Sequence, residues 1–227
     1  MGVTTISETF TFFGDFLMLD SKVEELKKQF VGFTYQTGKE KLPNNGSEAN
    51  IHVFRTANKR VAIRAYRIDF EYGHNSPQCD FSQFVSFVVD AVQMLSAVAD
   101  LKGHRVAYSN VEFVKDVKGT LKAKTSKLFN FTRVFGSEAD EIKIRLNNKT
   151  KIDGEIYNSV ITVQNDVVTN KDTKVESRAI FINKDINTLN TNTQVRFDLL
   201  DAVDYVCVMY REACNRTGKL LKKLGVR

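Results

Sequence analysis

Apolar and small polar residues alternate at residues 9–16, and this two-residue period predicts a strand with one buried face. The same pattern, with a turn at residues 57–59, predicts a hairpin formed by residues 51–54 and 61–72, after a polar loop at residues 38–49. Further strands are predicted at residues 105–114, 129–135, 141–146, 155–164 and 175–183. The chain is therefore expected to be rich in antiparallel sheet.

Three stretches change to the spacing of an α-helix. Ser21 with Glu24 forms a candidate capping box for a short helix that ends near Gly32. A long helix is predicted from Asp80 to a stop at Gly103, and a second one over residues 195–218. Both long helices have one broad apolar face, so each requires another layer to cover that face.

The two halves of the chain resemble each other. Residues 64–69 (RAYRID) have a counterpart in residues 178–183 (RAIFIN), and the same offset aligns the two long helices. We therefore predict an α+β fold of two pseudo-repeated units, each an antiparallel sheet covered by a long amphipathic helix. Residues 1–104 and 105–227 would be the two halves, packed as one body. The sequence leaves open whether each helix lies on its own sheet or both lie between two sheets.

Composition narrows the class of protein. With 227 residues, 42% of them hydrophobic, the chain is long enough to bury a core without disulfides. Its three cysteines include no CxxC pair, which favours a reducing compartment. Because no signal-peptide pattern or membrane-spanning apolar run is found, we predict a cytoplasmic protein that does not associate with membranes. A formal net charge of +6 attracts anionic partners.

No recognisable catalytic, metal or cofactor motif is found. The sequence has neither a glycine-rich phosphate loop before a helix nor a GxSxG motif. His52, His74 and His104 fall in separate segments without metal-ligand spacing, and we predict that all three face solvent. Cys79, shortly after His74, gives the one Cys/His pair worth testing for nucleophilic chemistry. We therefore expect no metal, no cofactor and no catalytic residue.

Basic residues provide the candidate binding sites. Lys219, Lys222 and Lys223 form a basic tail after the last helix. A second basic segment is flanked by phenylalanines, as in surfaces that bind phosphates and bases, and its members are Lys115, Lys118, Lys122, Lys124, Lys127 and Arg133. The alternative interpretation of this segment is a solvated loop. Arg64, Arg67 and Arg178 form a candidate pseudo-symmetric anion pocket, for which the alternative is an ordinary outward strand face.

A resemblance to a known family adds to this interpretation. It is carried by the helix opening DFSQF at residues 80–84, the strand RVAYSN at residues 105–110, and INKD at residues 182–185 before the terminal helix. In this order the chain resembles a family of sporadically distributed bacterial and phage-borne proteins of uncharacterised function. The family's frequent Trp is absent, and Ala107 stands at the position of its second Arg. The resemblance implies a fold and a mobile-element or defence-related setting, and it implies no catalytic residues.

We therefore expect a non-catalytic binding protein of bacterial or phage origin, related to defence or counter-defence, that acts on a macromolecular partner, above all a protein. One alternative is a nucleic-acid-binding accessory protein that uses a basic surface. Another is a small-molecule binder or an unrecognised enzyme, which would need a cavity between sheet and helix.

Overall fold

The computed structural model describes residues 3–42, 46–74, 80–115, 142–169, 174 and 176–224. The strands are β1 (Thr4–Gly14), β2 (Thr34–Lys41), β3 (Glu48–Arg55), β4 (Lys59–Ile63), β5 (Arg67–Gly73), β6 (Lys102–Lys115), β7 (Lys143–Ile152), β8 (Glu155–Thr169), β9 (Glu176–Thr188) and β10 (Phe197–Asp198). The α-helices are α1 (Val23–Gln29), α2 (Phe81–Ser96) and α3 (Ala202–Leu224), and the short 3₁₀ helices are η1 (Leu17–Lys22) and η2 (Leu199–Asp201).

The strands form one antiparallel sheet of 10 strands, in the order β2-β3-β4-β5-β1-β6-β9-β8-β7, with β10 paired to the start of β6. The prediction of two sheets, each with its own helix, is therefore wrong. Strand β1 pairs with β5 on one side and with β6 on the other, so the first strands of the two predicted halves join edge to edge. Alternation in a sequence identifies the buried face of a strand but not its lateral neighbour, because edges pair through backbone groups common to all residues. The coarser prediction of an α+β chain with antiparallel sheet is confirmed.

The helices cover one face of this sheet. Helix α2 packs over β5, α3 packs over β6 and β9, and the two helices contact each other. Between helices and sheet lies an apolar core to which both layers contribute, with members such as Phe10, Phe70, Phe84, Phe87, Ile186, Val206, Met209 and Ala213. We call the covered side of the sheet the helix face and the opposite side the open face. No described helix is long and apolar enough to cross a membrane.

Two local predictions fail for identifiable reasons. The segment expected as a polar loop, residues 38–49, overlaps the second half of β2 and the start of β3. Alternation could not reveal β2 because nearly all its residues are exposed at the sheet edge. The strand expected over residues 61–72 is divided into β4 and β5 by a turn in which the Arg64 N–H donates to the Arg67 carbonyl (2.9 Å). The sequence does not reveal that turn because residues 64–67 (RAYR) contain none of the Gly, Pro, Asn, Asp or Ser residues that are typical of turns. The strand predicted at residues 129–135 lies outside the described residues.

Gly103 was expected to stop the first long helix, but α2 ends at Ser96 and Gly103 lies in β6. A Cβ atom at Gly103 would be 2.4 Å from the Phe13 carbonyl oxygen and 2.9 Å from the Phe12 ring. Because the nearest of these atoms belongs to the backbone of β1, it cannot move aside cheaply. Glycine is therefore required here by the close approach of two strands rather than by a helix end.

Candidate functional site

The basic segment predicted between β6 and β7 falls mostly outside the described residues. Its one described cation is Lys115, which ends β6 and is exposed. The flanking Phe113 is half-buried, with its ring centroid 6.3 Å from that of Phe181 on β9. Outside the described residues lie Lys118, Lys122, Lys124, Lys127 and Arg133. The role predicted for those residues therefore stays a prediction.

The three arginines of the candidate anion pocket occupy two separate places. In the β4–β5 turn, Arg64 Nη1 donates to Glu40 Oε2 (2.9 Å) and Arg64 Nε lies 3.4 Å from Asp69 Oδ2. Arg67 Nε lies 3.1 Å from the same oxygen. Arg178 is on β9, which β1 and β6 separate from β5, and strand alternation places it on the other face of the sheet from Arg67. The structure thus brings two arginines to one carboxylate and leaves the third elsewhere.

The predicted solvent exposure of the histidines is wrong for two of them. His52 is 6% exposed, and its ring nitrogens contact Tyr35 and Asp20. The His74 side chain is 2% exposed, and its Nε2 lies 2.7 Å from Glu8 Oε2. His104 is half-buried in β6, where burial and the nearby Arg196 lower its pKa. The partners come from distant segments, so no local pattern marks them. Among the described residues, no group of three or more His, Cys, Asp or Glu side chains could hold a metal ion.

Strand β7 carries four cations on one face. They alternate with Ile144, Leu146, Asn148 and Thr150, and they are Lys143, Arg145, Lys149 and Lys151. In the register with β8, Leu146 lies opposite Ile161 and Asn148 lies opposite Ser159, and both of these partners are buried on the helix face. Since cross-strand neighbours share a face, the four cations lie on the open face, where all of them are exposed.

The end of α3 brings further cations to the same edge of the sheet. A cavity of about 370 Å³ between α3 and the β7–β8 hairpin is lined by Arg216 and Lys219 from the helix and by Asn147 and Asn148 from β7. Arg216 is paired with Glu212, whereas Lys219 is exposed, as are the next two lysines of the helix. We define the basic rim as Lys143, Arg145, Lys149, Lys151, Lys219, Lys222 and Lys223.

Sequence reasoning found one side of the basic rim and missed the other. Lys219, Lys222 and Lys223 were predicted as a basic tail, and the structure places them in the last turns of α3. The β7 cations were missed because the strand was predicted to end at residue 146, before Lys149 and Lys151. The alternation of cations with uncharged residues through residue 151 was the signal that could have revealed the longer strand.

A row of polar side chains crosses the helix face and separates two apolar clusters. Its members, which we call the polar belt, are Glu8, His74, Tyr108, Asn110, Glu112 and Lys184. Lys184 Nζ donates to Glu112 Oε1 at 2.5 Å, and Tyr108 Oη donates to Glu8 Oε1 at 2.7 Å. The larger cluster lies on one side, and a smaller one, with Val114 and Ile182, lies on the other.

Burial governs the protonation of the polar belt. Desolvation raises the pKa of Glu8, although hydrogen bonds from Tyr108 and His74 oppose that rise. Desolvation, together with the Glu8 charge, raises the pKa of Tyr108 well above its ordinary value. Burial and the neighbouring Cys214 also raise the pKa of Tyr210 on α3. Most carboxylates of the polar belt contact a basic side chain, and most of its hydrogen-bond donors have an acceptor. We therefore interpret the polar belt as a structural network.

Comparison of the chain with protein-family models and with curated protein sequences gives no match. The family resemblance given by the sequence therefore stays an expectation.

Proposed function

We propose that this protein is a non-catalytic binding protein that recognises an acidic segment of a partner protein along β7. The observation that carries the proposal is the position of the basic rim. Strand β7 is the last in the sheet order, and among the described residues it pairs only with β8. Its other edge is therefore flanked by the β7 cations on the open face and by Lys219 on the helix face.

An extended polypeptide suits this edge because it can be added to a sheet as one more strand. Backbone hydrogen bonds then supply affinity, and alternate side chains supply specificity. Acidic side chains on that strand would meet Arg145 and Lys149 on one face and Lys219 on the other. Ser159 supports this, since it is a lining residue of the cavity beside Lys219 and its buried Oγ has no hydrogen-bond partner among the described residues. A polar group of the partner would satisfy that hydroxyl.

A single-stranded nucleic acid is the second anionic partner to consider. Proteins that bind such strands combine cations with aromatic side chains on which the bases stack. No residue of β7 is aromatic, and the aromatic Tyr157 of β8 is buried on the helix face. The basic rim thus offers charge without a stacking surface, which favours an acidic polypeptide.

Lysines on an edge strand can also serve only to prevent unwanted pairing between molecules. Fluorescence anisotropy distinguishes this role from partner binding. The probe is a labelled ten-residue peptide of alternating Glu and Val, compared with its Gln/Val counterpart and with an oligothymidine of similar length. We expect the acidic peptide to bind and the Gln peptide not to bind, with affinity that falls as salt rises from about 50 to 200 mM, since salt screens exposed charges.

The matched variants each remove two lysines, from opposite edges of the sheet. Lys149→Gln with Lys151→Gln should weaken binding by about tenfold or more, as expected for loss of two charge pairs. Lys39→Gln with Lys41→Gln removes the same charge from β2, the strand at the opposite edge, and should leave binding within about twofold. Equal weakening by both pairs, or equal binding of the Gln peptide, would contradict the proposal. Tighter binding of the oligothymidine would favour the nucleic-acid alternative.

A cytoplasmic location and a bacterial or phage setting related to defence are parts of this proposal. The free thiols of Cys207 and Cys214 support the location, because a reducing compartment maintains them. The setting depends on the family resemblance alone. Neighbouring genes test it directly, since an adjacent nuclease, toxin or phage operon would be expected.

A further inference from the structure

A second cavity lies near the other end of the sheet, away from the basic rim. It encloses about 370 Å³, a volume within the range of small-ligand sites, and it lies between η1, β3 and β4. Its polar wall contains Asp20 of η1 with Asn50 and His52 of β3. We call it the Asp20 pocket. The proposed partner-binding function does not use it.

The Asp20 carboxylate is held in place by a chain of hydrogen bonds. His52 Nε2 lies 2.5 Å from Asp20 Oδ1, and Asn50 Nδ2 donates to Asp20 Oδ2 at 2.8 Å. The ring of His52 is fixed in turn by Tyr35, whose Oη lies 2.8 Å from His52 Nδ1. Partial desolvation pushes the Asp20 pKa up, but the hydrogen bonds from His52 and Asn50 outweigh it and lower that pKa overall. Asp20 is therefore a fixed anion.

That anion can still accept hydrogen bonds from a ligand. The Asp20 side chain is 45% exposed, and each carboxylate oxygen has one protein donor among the described residues. A carboxylate oxygen accepts about two hydrogen bonds, so capacity remains on both oxygens. Because both ring nitrogens of His52 are already engaged, His52 orients Asp20 and does not itself contact a ligand through nitrogen.

The remaining walls determine which class of ligand fits. Leu42 and Ile63 are buried in the wall, and Leu17 is 45% exposed beside them, so one side of the pocket is apolar. Arg64 also lines the pocket, but its guanidinium already contacts the carboxylates of Glu40 and Asp69. An anionic ligand would therefore find no free cation in Arg64 and would meet the charge of Asp20.

We infer that the Asp20 pocket binds a small amphipathic amine. Its ammonium group donates to the Asp20 carboxylate, and its short apolar chain lies against Leu17, Leu42 and Ile63. A charge-assisted hydrogen bond to a fixed carboxylate selects the ammonium, and the apolar wall selects the chain. This inference is independent of the proposed function, because it depends on other residues near the other end of the sheet.

The test is an NMR titration of the isotope-labelled full chain with n-butylammonium, alongside ethylammonium, n-butanol and n-butyrate. We expect butylammonium to shift the amides of Leu17, Asn50 and His52 at millimolar concentration, and to bind more tightly than ethylammonium. Butanol should bind at least about tenfold more weakly, since it lacks the charge-assisted bond, and butyrate should not bind. Equal affinity for butanol and butylammonium, or shifts confined to other regions, would overturn the inference.

Two variants separate the roles of charge and apolar wall. Asp20→Asn should weaken butylammonium binding by about tenfold or more, whereas Glu25→Gln, which removes an exposed carboxylate from α1, should not change it. If Asp20→Asn disturbs folding, Leu17→Ser provides the test, because Leu17 is already exposed. It should reduce the preference for butyl over ethyl, because Leu42 and Ile63 remain in the wall, while leaving ethylammonium binding intact. Equal effects of Asp20→Asn and Glu25→Gln, or an unchanged chain-length preference in Leu17→Ser, would contradict the assignment.

Discussion

The pair formed by Lys184 and Glu112 is a buried ion pair in the polar belt, and breaking it should be costly. The side chains are 2% and 10% exposed, and Lys184 Nζ donates to Glu112 Oε1 at 2.5 Å. Lys184→Met fills similar space but leaves Glu112 with Asn110 Nδ2, at 3.3 Å, as its one remaining side-chain donor among the described residues. Removing one member of a buried pair leaves an uncompensated charge, so we expect a loss of about 3–5 kcal/mol in the free energy of unfolding.

Replacing both members should be much less harmful. The double variant Lys184→Met with Glu112→Leu removes both charges and both desolvation costs, so it should lie within about 2 kcal/mol of the original chain. Urea unfolding followed by circular dichroism gives these free energies, provided that the slope against urea stays constant among variants. The double-mutant cycle then measures the coupling between the two side chains, which we expect to be about 3 kcal/mol.

An exposed ion pair at the start of β6 serves as the control. Lys102 Nζ lies 3.2 Å from Asp100 Oδ2, with the two side chains 55% and 70% exposed. Lys102→Met should therefore cost less than about 1 kcal/mol, because water screens such pairs. If Lys184→Met is no more harmful than Lys102→Met, or if the losses in the Lys184/Glu112 cycle simply add, the interpretation of the polar belt as a matched structural network is refuted.

Three further changes test other features. Burial raises the pKa of Glu8 in the folded chain above its value in the unfolded chain. The stability that Glu8 contributes is therefore fully present below the unfolded pKa, and it is lost as the pH rises through the folded pKa. The Glu8→Gln side chain can still form hydrogen bonds with Tyr108 and His74, so this variant should lose the pH dependence of stability. Thermal unfolding between about pH 4 and 8 measures that dependence, and an unchanged dependence would contradict the assignment to Glu8. Gly103→Ala should lower the free energy of unfolding, measured in urea, by about 1–3 kcal/mol, because the new Cβ meets the Phe13 backbone. Gly218→Ala is the control in α3, where a Cβ has no neighbouring atom within 4 Å, and it should stabilise the helix slightly. Tyr35→Phe should cost about 1 kcal/mol and alter the His52 ring resonances, since His52 Nδ1 loses its partner; unaltered resonances would speak against that contact.

The sequence predicted what depends on local periodicity. The apolar spacing that begins after Asp80 marks the start of α2 correctly, although not its end, and Asp80 caps the helix by accepting from the Ser82 N–H at 2.9 Å. The strand patterns likewise identified β1, β6, β8 and β9, with ends that differ from the structure by up to five residues. These patterns could not show that β1 lies between β5 and β6, because that pairing joins segments far apart in the chain. The error in sheet number follows directly from this limit.

The candidate sites were less accessible to sequence reasoning. The Asp20 pocket joins a 3₁₀ helix to two strands, and its His52 appears in the sequence as one polar residue between two apolar ones. That pattern predicts an outward side chain, but η1 covers the outer strands and Asp20 and Tyr35 satisfy the ring nitrogens. The basic rim combines residues of β7 with residues of α3, and no motif in the sequence indicates that this strand and this helix lie side by side. Both sites are products of tertiary packing.

The central place of β1 also affects how the chain is made. As the ribosome releases the first hundred residues, β1 can pair with β5, but its other edge must wait for β6 to emerge. Until then the nascent chain exposes one long strand edge, which is a site for pairing with other nascent chains. A gene fragment that stops before β6 should consequently give a product that aggregates. Slow translation of β6 would prolong the time for which the edge of β1 is exposed.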